Sequence, residues 1–110
     1  MEVKRGDIVI AVLPGDYGKG RPAVLIQSDA FNATHASLVV CPITSHAVDA
    51  PLFRIPLPAS TETGLETPSQ VMVDKMTAIR RDRITRIIGR IDPARMNEVN
   101  RAVALWLSPE

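Results

Sequence analysis

Apolar residues occur in short runs along most of this chain, and each run is shorter than a typical helix. Residues 8–13 are all apolar, and residues 21–27 and 37–43 have strand composition. Between the first two runs, residues 14–20 combine a proline, an aspartate and three glycines, which is typical of a loop. The pattern predicts a hairpin with a mobile tip, followed by a third strand.

The middle of the chain predicts more short strands separated by polar segments. Three further strands are predicted at residues 53–57, 70–74 and 84–91. Pro56 confines the first of them to a sheet edge because proline cannot donate a ladder hydrogen bond, and Gly89 interrupts the last. Residues 28–36 and 59–69 are polar and are predicted to be irregular.

The last segment has a helical period. Asp92 is suited to an N-cap, Pro93 to the first helical position and Pro109 to a stop. Apolar residues recur between them on one helix face, at Met96, Val99, Val103 and Trp106. Short strands followed by one helix predict a mainly β (α+β) fold, in which a strongly bent sheet or barrel carries the helix. On that face, Trp106 is expected to pack in the core or in a dimer interface.

Length and composition limit the class of protein. The 110 residues suffice for one domain, placed at residues 1–110, and no apolar segment is long enough to span a membrane. The single cysteine, Cys41, excludes an internal disulfide and favours a reducing compartment. Together with His35 and His46 it shows no zinc-binding spacing. We therefore expect a cytoplasmic protein with no membrane partner, no metal and no cofactor.

The net charge of +1 conceals a basic segment near the C-terminal end. Residues 80–90 contain five arginines and one aspartate. A confined basic patch on a nearly neutral protein indicates a polyanionic partner. The alternative is a solvated strand-and-turn surface, or arginines that pair with acids across an interface.

Arg21 is the first candidate for chemistry. It lies between Gly20 and Pro22 at the start of an apolar run, so its side chain is expected to project from a stiff strand end. A planar fork of donors suits a phosphate or a carboxylate better than a lysine does. The alternative is an ion pair with a surface acid.

Polar side chains at two other predicted strand ends extend this candidate site. Thr44 and Ser45 place two hydroxyls at the end of the third strand, and His46 follows them. Thr44 becomes functional if it faces Arg21 across neighbouring strands; otherwise it is a β-branched strand residue. Asp74 and Lys75 end another strand and either join the same cluster or form a surface ion pair.

Five segments in this order resemble the MazF/PemK family of toxin endoribonucleases, and the resemblance covers nearly the whole chain. The segments are residues 5–9 (RGDIV), 20–26 (GRPAVLI), 42–45 (PITS), 69–74 (SQVMVD) and 88–91 (IGRI). The resemblance implies an SH3-like β-barrel with a C-terminal helix, acting as a homodimer. It also implies metal-free cleavage of single-stranded RNA, often at a short sequence, and an antitoxin partner whose disordered tail covers the RNA groove.

The resemblance also assigns two catalytic residues, and two segments of this chain depart from the family pattern. The family's catalytic arginine and threonine correspond to Arg21 and Thr44. The first loop has residues 15–18 (GDYG) where the family often has Gly-x-Glu-Gln, and residues 74–80 lack the family's usual arginine and final acid. We therefore expect Lys75 or Arg80 to supply charge.

These residues suggest a mechanism in which the ribose 2′-hydroxyl attacks phosphorus. Arg21 would stabilise developing negative charge, Thr44 would orient the phosphate, and Asp74 is the candidate base. If Asp74 lies too far away, positioning and charge stabilisation would supply most of the rate. The predicted RNA contacts are Tyr17, by stacking on a base, together with Lys19, Ser45, His46, Lys75 and Arg80.

Two alternatives stay open. One is a non-enzymatic inhibitor of DNA gyrase, like the CcdB toxins, which use an exposed tryptophan near the C-terminus. The segment after Trp106 resembles theirs poorly. The other is a catalytically inactive barrel that only binds an antitoxin, which the altered residues 77–80 permit.

Overall fold

The computed structural model describes residues 1–109, which form seven strands and two helices. The strands are β1 (Asp7–Val12), β2 (Gly20–Leu25), β3 (Ser37–Thr44), β4 (Arg54–Leu57), β5 (Ser69–Met72), β6 (Thr77–Arg80) and β7 (Ile84–Arg90). The helices are α1 (Asp29–Asn32) and α2 (Pro93–Trp106), and two 3₁₀ turns occupy Val73–Lys75 and Arg81–Arg83. The mainly β fold with a C-terminal helix is confirmed.

All strand pairs are antiparallel, in the order β4-β5-β3-β2-β1-β7, with β6 paired to β3 outside this path. One edge of β3 is divided: Ser37–Val40 pair with β6, whereas Ile43 and Thr44 pair with β5. The opposite edge pairs with β2. Within residues 1–109 no pairing joins the terminal strands β4 and β7. The expected barrel is therefore corrected to a bent, open sheet, because β3 shares its edge between two short strands instead of closing a ring.

The continuous apolar run of β1 has a simple cause, since both faces of the sheet are buried. Ile8 contributes to a core cluster with Val24 and Cys41, and its neighbour Val9 contributes to a second cluster with Leu25. Successive strand residues point to opposite faces, so a strand buried on both sides needs apolar residues at every position. The first cluster also contains Val99 and Ala102 of α2, which covers that face.

The terminal helix forms as its sequence predicts. The Asp92 carboxylate accepts a hydrogen bond from the backbone N–H of Arg95 at 2.9 Å, and Pro93 occupies the first turn. Trp106 is only half covered, and its ring lies against Phe53 with a centroid separation of 5.2 Å. The helix end therefore keeps an apolar surface open.

Two elements were not predicted. Helix α1 lies in a segment expected to be irregular, where the Ser28 hydroxyl accepts from the backbone N–H of Ala30 at 3.2 Å. Strand β6 has four residues and is ordered by pairing with β3. Elements this short depend on local capping or on a distant partner strand, and hydrophobic periodicity shows neither.

Candidate functional site

A cavity of about 560 Å³ opens where the start of β2 and the end of β3 meet β7 and the loop of residues 64–67. Its polar lining consists of Asp16, Lys19, Arg21, Thr44, Ser45, Glu66, Thr67, Ser69 and Arg86. The apolar part includes Ile10, Pro22, Ile43 and Ile88. Arg21 and Thr44, predicted from separate segments, thus line the same cavity.

Two interactions hold Arg21 at the cavity wall. Its Nη2 donates to the carbonyl oxygen of Ile43 at 3.3 Å, and its Nη1 lies 3.6 Å from Oδ1 of Asp16. The side chain is 34% exposed, so a ligand can reach it. A guanidinium has five N–H donors, and these contacts leave several for a bound anion.

Thr44 is the last residue of β3, and its hydroxyl is already oriented. Its Oγ1 accepts from the backbone N–H of His46 at 3.1 Å. This contact uses a lone pair and leaves the hydroxyl hydrogen free to donate. Because Arg21 bonds to the carbonyl of the residue before Thr44, both donors are tied to one strand end.

Asp16 is a residue that the sequence did not single out. Its Oδ1 lies beside Arg21, whereas its Oδ2 is buried without a hydrogen-bond partner among residues 1–109. A buried carboxylate oxygen without a partner is costly and suggests a missing donor. The available signal was that Asp16 is the only acid in the loop before Arg21.

Arg86 and Glu66 were also missed. Arg86 pairs with Ile10, which pairs in turn with Pro22, so three neighbouring strands bring Arg86 to the cavity. Glu66 lies in the loop that precedes β5, and this loop forms part of the cavity wall. Gly64 lies so close to the Ile88 carbonyl that a β-carbon would collide with it, which fixes this loop against β7.

The structure does not bring Asp74 to this cavity. Its carboxylate receives two hydrogen bonds from Arg54, at 2.7 Å and 3.1 Å, in a largely buried pair. These bonds lower the pKa of Asp74 below its usual value. The register of β4 with β5 places Arg54 opposite Met72, next to the turn that carries Asp74. We therefore do not carry Asp74 into the mechanism as the base.

The remaining predicted contacts are divided among different places. Lys19 and Ser45 line the cavity. His46 contacts Thr44 through its backbone, and Lys75 is exposed on the turn Val73–Lys75; neither lines the cavity. Two other predicted contacts, Tyr17 and Arg80, line a separate cleft on the other side of the β1–β2 loop.

Other chemistry has little support in the described part of the chain. Burial raises the pKa of the Cys41 thiol to about 12, so the thiol stays protonated and is a poor nucleophile. Residues 1–109 contain no group of three or more His, Cys, Asp or Glu side chains able to hold a metal ion. Across the same residues, no helix is both long and apolar enough to cross a membrane.

Sequence comparison finds relatives over nearly the full length. The family described as "PemK-like, MazF-like toxin of type II toxin-antitoxin system" matches residues 4–107. The chain is 42% identical over 106 residues to a probable endoribonuclease MazF of Mycolicibacterium smegmatis, covering 96% of each protein. It is 29% identical over 117 aligned positions to endoribonuclease EndoA of Bacillus subtilis, covering 98% of this chain and 97% of that protein.

Solved structures share the fold at lower identity. The Mycobacterium tuberculosis toxin MazF-mt6 superposes with a TM-score of 0.81 at 23% identity, over 94% of this chain and 98% of that one. A mycobacterial endoribonuclease in complex with its cognate antitoxin gives a TM-score of 0.80 at 22% identity, over 98% and 97% of the two chains. A MazE–MazF crystal structure from Deinococcus radiodurans gives 0.81 at 21% identity, over 100% and 99%.

Proposed function

This chain belongs to the PemK-like, MazF-like family of type II toxin–antitoxin toxins and is an endoribonuclease of that family, and we propose that its cavity cleaves single-stranded mRNA at selected sites without a metal. The observation that carries this proposal is the convergence of Arg21 and Thr44 in one accessible cavity. Both side chains keep donors free for the oxygens of a phosphate.

We assign the nucleophile to the RNA itself. The 2′-oxygen forms a bond to the adjacent phosphorus as the bond from phosphorus to the 5′-oxygen breaks. The products are a 2′,3′-cyclic phosphate and a free 5′-hydroxyl. Arg21 stabilises the charge that develops on the phosphate oxygens, and pre-aimed donors of this kind act mainly on the transition state. Thr44 donates to a non-bridging oxygen and orients the phosphate for in-line attack.

Asp16 takes the place of Asp74 as the proposed base. It is the carboxylate beside Arg21, and its buried Oδ2 has no partner of its own within residues 1–109. Asp16 would accept the 2′-hydroxyl proton, and the leaving 5′-oxygen would take up a proton from solvent water. Arg21 itself is unsuited to this role because a guanidinium keeps its proton in proteins.

Cationic and hydroxyl groups around this centre would hold the RNA strand. Lys19, Ser45 and Arg86 line the cavity and are proposed to bind neighbouring phosphates or sugars. His46 and Lys75 lie beyond the lining and stay predictions as RNA contacts, as does Arg80. In this proposal, the loop of residues 64–67, which carries Glu66 on the cavity wall, contacts bases of the RNA.

We also propose a cognate antitoxin and a homodimer in the cytoplasm. Two of the three solved structures described above are complexes with an antitoxin, named as cognate or as MazE. A cavity with three cationic side chains suits an acidic antitoxin segment. The exposed apolar end of α2, Leu105 to Leu107, offers a surface that a second copy would cover.

The experiment is to incubate the purified protein with a long unstructured RNA, with and without EDTA, and to map the ends. We expect cleavage in both conditions, at a recurring short sequence, with 2′,3′-cyclic phosphate ends. Arg21→Ala should abolish cutting, whereas Arg101→Ala, which removes an exposed arginine of α2, should cut normally. Both variants should retain the parent circular dichroism spectrum. Intact RNA with the parent protein, together with inhibition of gyrase, would favour the CcdB-like alternative instead.

A further inference from the structure

The five arginines of the basic segment divide into those with partners and those without. Arg80 pairs with Asp82, Arg81 donates to the carbonyls of Asn32 and His35, and Arg90 pairs with Asp7. The guanidinium groups of Arg83 and Arg86 have no hydrogen bond or ion pair with any of residues 1–109, and both side chains are exposed. Within residues 80–90, the positive charge without a partner is therefore confined to two positions.

These two arginines line different cavities on either side of the β1–β2 loop. Arg86 lines the cavity that contains Arg21. Arg83 lines a second cleft of about 450 Å³, between the loop and β6, whose lining also includes Tyr17 and Arg80 and contains no carboxylate. The loop separates the two, with Asp16 lining one cavity and Tyr17 lining the other.

Tyr17 has an unusual conformation that keeps its ring in solvent. Its φ of 53° is in the left-handed region, which few residues with a bulky side chain adopt, and the side chain is 99% exposed. Gly15 and Gly18 on either side also have positive φ. The loop is thus shaped to present an aromatic face that no neighbour within residues 1–109 covers.

We propose that the second cleft is a nucleotide subsite for the same RNA strand, in which Tyr17 stacks on a base and Arg83 binds the adjoining phosphate. This inference rests on the proposed ribonuclease function of the first cavity. The strand would cross the β1–β2 loop, with Arg86 holding it on one side and Arg83 on the other. Aromatic faces combined with a basic track are how proteins bind single strands.

An acidic peptide is the competing occupant, and the lining favours RNA. Apart from its arginines and Tyr17, the cleft is formed by apolar or small residues, including Val12, Pro14 and Ile79. A carboxylate makes no favourable contact with an exposed tyrosine ring or with an apolar floor, whereas a base stacks on the ring and can bury its apolar surface against the floor.

The test measures binding of fully 2′-O-methylated RNA, in which the attacking hydroxyl is blocked. Two probes are used: a dinucleotide, which fills only the first cavity, and an oligonucleotide of about ten nucleotides, which can span both. Arg83→Gln should weaken binding of the long probe and reduce the slope of log K against log salt by about 0.7, the value of one lost phosphate contact on a single strand. Arg101→Gln, which removes the same charge from α2, should change neither the affinity nor the slope.

The stacking role of Tyr17 is tested with the same two probes. Tyr17→Ser should weaken binding of the long probe about tenfold or more. Tyr17→Phe should bind it like the parent protein, because the ring stacks without its hydroxyl.

The outcomes separate this inference from the function on which it rests. Two results would overturn the subsite and leave the ribonuclease assignment intact, provided that the parent protein still cuts RNA. Arg83→Gln could weaken binding of both probes equally, or it could leave binding of the long probe unchanged. Tight binding of poly-glutamate through Arg83 and Tyr17, with RNA binding unaffected, would assign the cleft to an acidic protein segment instead. Failure of the parent protein to cut any RNA counts against the premise, and the cleavage assay detects that independently.

Discussion

Arg21 donates a hydrogen bond to the carbonyl oxygen of Ile43, the residue that precedes Thr44. This one bond ties the start of β2 to the end of β3 across the cavity. It fixes the Arg21 guanidinium against the backbone that carries the Thr44 hydroxyl. Pre-organisation of this kind lets both donors act on charge as it develops, without reorganisation during the reaction.

Replacing Arg21 by lysine tests whether geometry or charge matters. Arg21→Lys keeps the positive charge but loses the planar fork that reaches Ile43 and a phosphate together. We expect kcat to fall about 10²–10³-fold, close to the effect of alanine, because one pre-aimed donor contributes that much. The single-turnover rate of cleavage of a defined RNA measures this loss. A lysine variant with near-parent kcat would mean that simple charge suffices.

Thr44 should act through its hydroxyl and not through its shape. Thr44→Val keeps the β-branched form and removes the donor, so we expect a loss of kcat of about 10²-fold, whereas Thr44→Ser should retain most activity. Thr34→Val, at an exposed position after α1, serves as the matched control and should cut normally. If valine at position 44 supports parent rates, Thr44 is a structural strand residue.

Asp16→Asn tests Asp16 as the base. The substitution removes proton acceptance at nearly constant shape, and general-base groups contribute about 10²–10⁴-fold. We expect a loss of this size in the single-turnover rate of cleavage. A purely positioning role would retain most of the rate, because the amide oxygen of asparagine can still accept a hydrogen bond from Arg21. Glu98→Gln, an exposed acid of α2, provides the charge-matched control.

The sequence predicted the parts of this protein that depend on local pattern. The terminal helix and its Asp92 cap followed from spacing, and Arg21 and Thr44 were selected by their segments and by family resemblance. Arg86 was missed because it reaches the cavity through the pairing of β7 with β1, which is distant in sequence. Asp16 was missed because the conformation of the β1–β2 loop, and not a local sequence pattern, brings its carboxylate beside Arg21. The pairing of Arg54 with Asp74 was not predictable either, because it is set by the β4–β5 register, which no local pattern reveals.

The Arg54–Asp74 pair should stabilise the fold with a defined pH dependence. The hydrogen bonds from Arg54 lower the pKa of Asp74 below its usual value, so the folded state favours the ionised carboxylate. The stabilisation is complete above the unfolded pKa and is lost as pH falls through the lower, folded value. Asp74→Asn should therefore reduce the free energy of unfolding by about 2 kcal/mol at neutral pH, the worth of hydrogen bonds to a charged group, and by progressively less in acid.

Urea unfolding of the parent and Asp74→Asn proteins at neutral pH and near pH 3 measures this difference. The matched control is Asp82→Asn, because Asp82 forms an exposed surface pair with Arg80 that contributes little. The rate of RNA cleavage per folded Asp74→Asn molecule should stay that of the parent, since the carboxylate is held by Arg54 and lies outside the cavity lining. A stable asparagine variant that no longer cuts RNA would return Asp74 to the catalytic centre and remove Asp16 as the base.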